Sequence, residues 1–241
     1  MPGFLFPDMR VRNVTDKEMM EYPDIDLQKF RRSVRQFKVI NFLFSSSRRL
    51  IGRYFFTVME QEPERNYTLL EIGSGGCDTS VWIAREARKR GLKLKITALD
   101  NDERILPVAF QASGAYPEIS VVNGNALDLS SLGQFDFLFS SHLMHHLSWD
   151  ELKILLREVI AGTRLAFVMN DLKRSNWAYL GFTIFSGIFL PGSFHFHDGR
   201  LSIRRAFLPE EIRDFLAINF PDTPIQVVET CPARVVLVHT L

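Results

Sequence analysis

The stretch that decides the fold of this 241-residue chain is LLEIGSGGCD, residues 69–78. Its apolar first half predicts a buried strand, and the three glycines that follow predict a sharp turn. Glycine is required there because it lets the backbone turn tightly and approach a ligand closely. A helix is expected to begin near Thr79, so the segment reads as a strand, a ligand-binding turn and a helix.

The turn differs from the phosphate-binding turn of dinucleotide-binding proteins. That pattern, G-x-G-x-x-G, requires a third glycine five residues after Gly73, where this chain has Asp78. A carboxylate at that position would repel a pyrophosphate. The turn therefore favours a ligand without phosphates, and a nicotinamide-dependent oxidoreductase is the less favoured alternative.

Short β-rich runs alternate with helical stretches from about residue 64 onward, which predicts a parallel α/β sheet. The predicted strands are Thr68–Ile72, Leu94–Leu99, Ile119–Asn123, Phe135–Phe139, Leu165–Met169, Ile225–Glu229 and Val235–His239. Only residues 230–234 separate the last two, which is too short for a crossover helix. These two strands are therefore expected to pair antiparallel as a hairpin.

The second predicted strand ends in a carboxylate, Asp100. In doubly wound folds an acid at this position holds the ribose hydroxyls of a nucleoside. Aspartate at the end of a strand is also a common helix cap. The preceding glycine turn favours the ribose-binding interpretation.

These motifs together resemble the class I S-adenosylmethionine-dependent methyltransferases, over residues 67–240. The resemblance is to the small-molecule branch, which includes quinone-biosynthesis and natural-product O-methyltransferases. It implies a Rossmann-like seven-stranded sheet with a terminal antiparallel hairpin, and S-adenosylmethionine as cofactor. Asn125 stands where many members of the family have aspartate, and Cys77 where many have glycine.

The resemblance also implies which residues bind the cofactor. Acidic side chains near its amino-acid end suit the positive amino and sulfonium groups. The expected cofactor-binding residues are Glu71, Gly73, Ser74, Gly75, Asp78, Asp100, Asn101, Asn125, Ala126, Leu127 and Ser140. No Asn-Pro-Pro-Tyr type sequence follows the fourth strand, which disfavours methylation of amide or base nitrogens.

Three histidines follow the fourth strand, namely His142, His145 and His146. Any of them could remove a proton from an acceptor hydroxyl, because imidazole titrates near neutral pH. The alternative is that each is a packed or capping side chain before the helix that starts near Ser148. No thiolate lies nearby in the sequence, so no metal site is expected.

We expect residues 1–63 to form an N-terminal helical extension and residues 64–241 the cofactor-binding domain. Residues 171–205 form an insertion that covers the acceptor pocket in the resembled family. Its aromatic run fits either simple core packing or an apolar pocket. The stretch 198–207 is similar to methyltransferases encoded near polyketide and phenolic-lipid enzymes, which implies a phenolic or lipid-like acceptor.

Composition excludes several classes of protein. Hydrophobic residues make up 46% of the chain and charged residues 24%, as in globular proteins, and the net charge of +1 gives no general attraction to nucleic acid. The helix predicted from Leu27 has one basic face, which is either solvated or in contact with anionic lipid. With two cysteines, no signal-peptide pattern at Met1 and no apolar run long enough to span a bilayer, a cytoplasmic protein is expected.

The function predicted from the sequence is methyl transfer from S-adenosylmethionine to a small, apolar or phenolic acceptor, on oxygen. The alternative is a protein that keeps the cofactor-binding fold without turnover and acts as an accessory or membrane-surface protein. The intact Glu71, Gly73, Gly75 and Asp100 favour the enzyme.

Overall fold

A computed structural model describes residues 7–240. Its centre is one seven-stranded sheet with the order β3-β2-β1-β4-β5-β7-β6. The strands are β1 Asn66–Ile72, β2 Lys93–Asp100, β3 Ile119–Asn123, β4 Phe135–Ser141, β5 Thr163–Leu172, β6 Gln226–Thr230 and β7 Arg234–Thr240. All seven predicted strands are confirmed, with ends shifted by at most a few residues.

The predicted terminal hairpin is also confirmed. Strand β7 pairs antiparallel with both β5 and β6, whereas β1 to β5 pair parallel. The hairpin inserts its second strand into the sheet, so β6 lies at the edge. This mixed sheet is the Rossmann-like fold of class I methyltransferases.

Nine α-helices cover the sheet in the described part of the chain. They are α1 Leu27–Phe44, α2 Ser47–Ile51, α3 Thr57–Met59, α4 Asp78–Lys89, α5 Leu106–Ser113, α6 Trp149–Gly162, α7 Asn176–Phe189, α8 His195–Arg205 and α9 Pro209–Asn219. A π-helical segment, Gly52–Phe56, joins α2 to α3. Helices α2 to α5 bury their apolar residues with one face of the sheet, and α6 and α9 with the opposite face.

Helix α1 forms where the apolar spacing predicts it. Asp26 caps its first turn by accepting hydrogen bonds from the backbone N–H of Gln28 and Lys29. Its buried stripe, with Phe30 and Val34, packs with Val108 of α5. Among residues 7–240, no helix has the length and apolar character needed to cross a bilayer.

The chain before α1 is mostly irregular and contains one short 3-10 helix, Met19–Glu21; we call residues 7–22 the N-terminal arm. Arg12 fixes it by donating hydrogen bonds to the backbone carbonyls of His145, Leu147 and Arg205 at 2.5–2.8 Å. The buried Arg174 donates to the carbonyl of Met9 at 2.8 Å. The arm is therefore bound to the folded domain along its length.

Candidate functional site

A large cavity lies at the carboxyl ends of β1, β2 and β4. Its volume is about 930 Å³, near the upper end of the range for ligand pockets, ~300–1,000 Å³. A cavity of this size has room for a nucleoside cofactor and a second small molecule. In open α/β sheets this edge is the usual place for a ligand.

The glycine turn after β1 is held against β2. The backbone N–H groups of Gly73 and Ser74 both donate to the carbonyl of Leu99 at 2.9 Å. Gly73 and Gly75 have φ of +71° and +52°, a conformation that glycine adopts without strain. Nothing lies within 4 Å of the position that a Cβ of Gly75 would take, so the turn leaves open space for a ligand at that point.

Asp100 at the end of β2 faces this space. One carboxylate oxygen accepts a hydrogen bond from the backbone N–H of Gly75 at 2.8 Å, and the other from that of Asp102 at 3.0 Å. Burial raises the pKa of Asp100 above its ordinary value. The carboxylate thus fixes the glycine turn while its remaining lone pairs are available to hydroxyl groups.

Two further carboxyl groups lie below the turn. Glu71 is buried and hydrogen-bonds Ser80 of α4, and burial, together with the nearby Asp78, raises its pKa to about 8. Asp78 accepts hydrogen bonds from the side-chain amide of Asn41 at 3.1 and 3.2 Å. A ligand with a positive group at this end of the cavity would stabilise the charged form of both acids.

The segment after β3 forms another part of the wall. The side-chain oxygen of Asn125 accepts a hydrogen bond from the N–H of Leu127 at 2.9 Å, which closes a tight turn. A Cβ at Gly124 would lie 2.7 Å from the end of the Leu99 side chain, so a larger residue would force that side chain to shift. The turn places Asn125, Ala126 and Leu127 on the cavity wall.

The structure brings together ten of the eleven residues predicted to bind the cofactor. The ten that line the cavity are Glu71, Gly73, Ser74, Gly75, Asp78, Asp100, Asn101, Asn125, Ala126 and Leu127. Ser140 is the exception, because it lies buried within β4, opposite Ile72 of β1. Successive side chains of a strand point to opposite faces, and the next residue, Ser141, lines the cavity instead.

The N-terminal arm forms the wall opposite the glycine turn. Residues 14–18, Met20 and Glu21 line the cavity, as do Phe30 and Phe37 of α1. Of the insertion 171–205, only Arg205 lines it. The insertion 171–205, which was predicted to cover the acceptor pocket, thus contributes one residue to the cavity wall, and the N-terminal arm contributes seven.

Two charged side chains hold the arm in this position. The carboxylate oxygens of Asp198 accept hydrogen bonds from the N–H groups of Met19 and Met20 at 2.8 and 3.0 Å. From the loop between β2 and α5, Arg104 donates to the carbonyls of Met20 and Tyr22, both at 2.8 Å. Asp198 therefore gives the stretch 198–207 a structural role in building the cavity.

The three predicted histidines have different environments, and His142 is the first. Arg234 donates from Nη1 to its Nε2 at 2.8 Å, so Nδ1 carries the hydrogen and donates to Ser141 Oγ at 3.1 Å. Burial and the charge of Arg234 hold the pKa of His142 well below its ordinary value. Both ring nitrogens are engaged with the protein, which disfavours His142 as a base.

His145 is buried between two carboxylates and does not line the cavity. Its Nδ1 donates to Asp171 at 2.7 Å, and its Nε2 lies 3.7 Å from Glu18. Burial disfavours the imidazolium, but the two carboxylates outweigh it and raise the pKa of His145 to about 9. At neutral pH this histidine already carries its proton, so it is an internal counter-ion rather than a base.

His146 lines the cavity and is partly exposed. Its Nδ1 lies 2.8 Å from Glu21, so Nδ1 donates to the carboxylate and the lone pair is on Nε2. Among residues 7–240, His146 Nε2 forms no hydrogen bond. Arg205 pairs with the same carboxylate, and the hydrogen bonds from His146 and Arg205, together with the charge of Arg205, lower the pKa of Glu21 despite its partial burial.

The described residues include a group whose ligand atoms are close enough together to be considered as a metal site. It consists of Glu18, His145 and His146. One ligand atom from each lies within 4.8 Å of the others. Tetrahedral ligands of zinc at ~2.1 Å would lie about 3.4 Å apart, so the group would have to contract. Glu18 already accepts a hydrogen bond from Ser202 at 2.6 Å, which satisfies it without a cation.

The pKa of His145 makes a prediction for the pH dependence of folding. A pKa raised from 6.5 to about 9 contributes stability that is present in full below pH 6.5 and is lost as the pH rises through about 9. We expect the free energy of unfolding to fall by a few kcal/mol over this interval. Urea unfolding at several pH values measures this, and His145→Gln should reduce the slope, leaving the part below about pH 8 that the raised pKa of Glu71 contributes; an equal slope in that variant would contradict the assignment.

Sequence patterns alone did not identify several residues of the wall. Phe30 and Phe37 belong to the predicted apolar stripe of α1, which signals burial but not a cavity. Glu18 and Glu21 lie in the irregular arm, more than a hundred residues from the histidines that they contact. No local pattern connects such distant positions.

Comparisons with known proteins agree with this geometry. Residues 69–164 match the family model described as a methyltransferase domain. Among solved structures, a SAM-dependent methyltransferase from Aquifex aeolicus has a TM-score of 0.57 at 14% identity, covering 89% of this chain and 98% of that one. No curated protein sequence gives a significant match.

Two other solved structures have slightly higher TM-scores. A candidate O-methyltransferase from Nostoc punctiforme gives 0.61 at 14% identity, covering 95% of this chain and 64% of that one. The CurJ carbon methyltransferase gives 0.63 at 17% identity, covering 90% and 61%. At these identities the likeness concerns the fold, and it includes proteins described as acting on oxygen and on carbon.

The sheet order, the glycine turn and the strand-end acid define an α/β protein that binds a nucleoside cofactor without phosphates. Residues 69–164 match a methyltransferase domain, and the sheet has the fold of the class I S-adenosylmethionine-dependent methyltransferases. The methyltransferase domain indicates an enzyme that uses S-adenosylmethionine, rather than a nicotinamide-dependent oxidoreductase.

Proposed function

We propose that the enzyme methylates the hydroxyl oxygen of an apolar, phenolic acceptor, with His146 as the general base. The observation that carries this proposal is the pair formed by His146 and Glu21 on the cavity wall. Glu21 fixes the ring so that Nε2 presents its lone pair to the cavity. A phenol has an ordinary pKa of about 10, so a base helps to remove its proton at neutral pH.

The cofactor is proposed to occupy the side of the cavity formed by the glycine turn. Asp100 would accept hydrogen bonds from the two ribose hydroxyls, and residues 125–127 would contact the adenine. Glu71 and Asp78 would stabilise the positive amino-acid end. The open space above Gly75 and the buried carboxylates beside the glycine turn fit such a ligand.

The acceptor is proposed to occupy the other side, between the arm and α1. When bound, S-adenosylmethionine supplies a methyl group already activated on a sulfonium. The protein's part is to align the acceptor oxygen, exclude water and take up the proton. Phe30, Phe37 and Leu147 provide an apolar wall, which suits an aromatic or lipid-like acceptor.

The domain boundaries proposed from the sequence acquire a functional meaning in this arrangement. Residues 64–241 would hold the cofactor, and residues 1–63 would supply the acceptor side through the described part of the arm and α1. The insertion 171–205 would act mainly by anchoring the arm through Asp198. A cover formed by that insertion in a closed state stays a prediction.

The test is the effect of His146→Gln and Glu21→Gln on methylation of a series of phenols. We expect kcat to fall by about 10²-fold for His146→Gln with an ordinary phenol, near the low end of the effect of a general base, ~10²–10⁴. The loss should shrink for acidic phenols, which ionise without help, and at high pH. The dissociation constant of S-adenosylmethionine should stay within about twofold, since the pair lies away from the glycine turn.

His239→Gln is the matched control, because His239 on β7 lies outside the cavity wall and its Nδ1 hydrogen-bonds the carbonyl of Pro224. It should leave kcat unchanged. The proposal is wrong if His146→Gln methylates ordinary phenols at the wild-type rate. It is also wrong if the loss is the same for acidic and ordinary phenols, because the ring would then only shape the cavity.

A further inference from the structure

Helices α1 and α7 expose large apolar side chains on the protein surface. On α7, Ile184, Ile188 and Phe189 are 55%, 63% and 65% exposed. On α1, Phe42 and Leu43 are 61% and 47% exposed. Single exposed apolar residues are ordinary, but several on two neighbouring helices mark a surface for binding.

The two helices are joined by aromatic contacts, so their exposed side chains lie on adjoining parts of the protein surface. The rings of Phe44 on α1 and Phe185 on α7 lie 4.8 Å apart, and those of Phe185 and Phe189 lie 5.3 Å apart. We use the name α1–α7 surface for the exposed apolar residues Val39, Phe42, Leu43, Ile184, Ile188 and Phe189.

The surroundings of this surface are strongly basic. Between residues 27 and 59 the chain has eight cationic side chains and no acidic one. The eight are Lys29, Arg31, Arg32, Arg35, Lys38, Arg48, Arg49 and Arg53. None of them forms an ion pair within the described residues 7–240, so their charge is available to an external anion.

We propose that the α1–α7 surface binds an anionic lipid bilayer, with its apolar side chains inserted among the lipids and the cations of α1 facing the head groups. Interfacial binding requires this combination of apolar insertion and positive charge. A second copy of the chain fits less well. A two-fold symmetric dimer would place the same basic surfaces against each other without acidic partners.

The position of α1 connects this surface to the cavity. Phe37 and Asn41 line the cavity from one side of the helix, and Val39 and Phe42 are exposed on another. Docking would therefore bring the acceptor side of the cavity close to the lipid. Lipid binding does not depend on which acceptor is methylated, so the inference stands or falls apart from the proposed reaction.

The test is sedimentation of the full chain with vesicles of phosphatidylcholine, with and without phosphatidylglycerol. Wild type should bind the anionic vesicles, less so at high salt, and the neutral ones weakly or not at all. The variants Ile184→Ser/Ile188→Ser/Phe189→Ser and Arg31→Glu/Arg35→Glu should each lower the partition coefficient by about tenfold or more, given ~1 kcal/mol per basic residue near the surface.

Two control variants lie on the opposite layer of the protein. Ile218→Ser on α9 removes an exposed apolar residue, and Arg157→Glu on α6 reverses an exposed charge. Both should bind vesicles as wild type does. Binding of S-adenosylmethionine and turnover of a water-soluble phenol report that every variant is folded, and they should be unchanged.

Three outcomes would overturn the inference. The first is that wild type does not sediment with anionic vesicles, and the second is that the control variants lose as much binding as the test variants. The third is that light scattering finds a dimer that the triple serine variant dissociates, which would make a second copy the occupant. Failure in any of these ways would leave the turnover of soluble phenols, and hence the proposed reaction, unaffected.

Discussion

Replacing Asp100 by alanine is expected to weaken binding of S-adenosylmethionine by roughly 10³-fold, because two hydrogen bonds to a charged group are worth about 1.5–3 kcal/mol each. The substitution also removes the acceptor for the N–H of Gly75, so the glycine turn loses one of its anchors. Both losses are expected to weaken the binding of the cofactor. Calorimetric titration with S-adenosylmethionine and S-adenosylhomocysteine measures the effect.

Asp128→Ala provides the control, since Asp128 is exposed and lies outside the cavity wall. It should bind the cofactor as wild type does. If Asp100→Ala bound with an unchanged dissociation constant, the ribose would not lie at the end of β2. If wild type bound neither compound, the proposed placement of the cofactor would be wrong, whatever the fold.

The fold could be predicted from the sequence because its signals are local. The central parallel strands β1 and β4 are buried on both faces over most of their length and so read as short apolar runs, as in Leu69–Ile72. The hairpin follows from a five-residue connection, 230–234, that leaves no room for a crossover. These features need no knowledge of distant contacts, and all seven strands were found.

The cofactor side of the cavity was predictable for a related reason. In a parallel sheet the residues after successive strands meet at one edge, so Gly75, Asp100 and Asn125 converge although they are far apart in sequence. Ser140 shows the limit of this reasoning. A shift of one residue along a strand turns the side chain to the other face, and a sequence pattern does not fix where the strand ends.

The acceptor side was not predictable, because it depends on long-range contacts of single side chains. The arm is placed by Arg12, Arg104, Arg174 and Asp198, whose partners are backbone atoms without a sequence signature. Backbone carbonyls and N–H groups are the same for every residue type. The sequence therefore predicted three candidate histidines. It did not show that only His146 both lines the cavity and pairs with a carboxylate.

The buried charges beneath the cavity connect the arm to the sheet. Asp171 at the end of β5 is almost fully buried and accepts hydrogen bonds from both the backbone N–H and Nδ1 of His145, each at 2.7 Å. Burial opposes its ionisation, but His145 and Arg234 hold the pKa of Asp171 far below its usual range. His145 in turn faces Glu18 of the N-terminal arm. Asp171 therefore compensates the positive charge of the histidine that contacts the arm.

Asp171→Ala is therefore expected to lower the free energy of unfolding by about 3–5 kcal/mol, because removing one partner leaves buried cations without compensation. Chemical denaturation at pH 7 measures the loss. Glu229→Ala is the control, since its ion pair with Lys173 is partly exposed and should contribute about 1 kcal/mol or less. A double-mutant cycle with His145→Gln should recover much of the loss. Equal small effects of Asp171→Ala and Glu229→Ala would mean that His145 is neutral in the folded protein and that the arm is held without its charge.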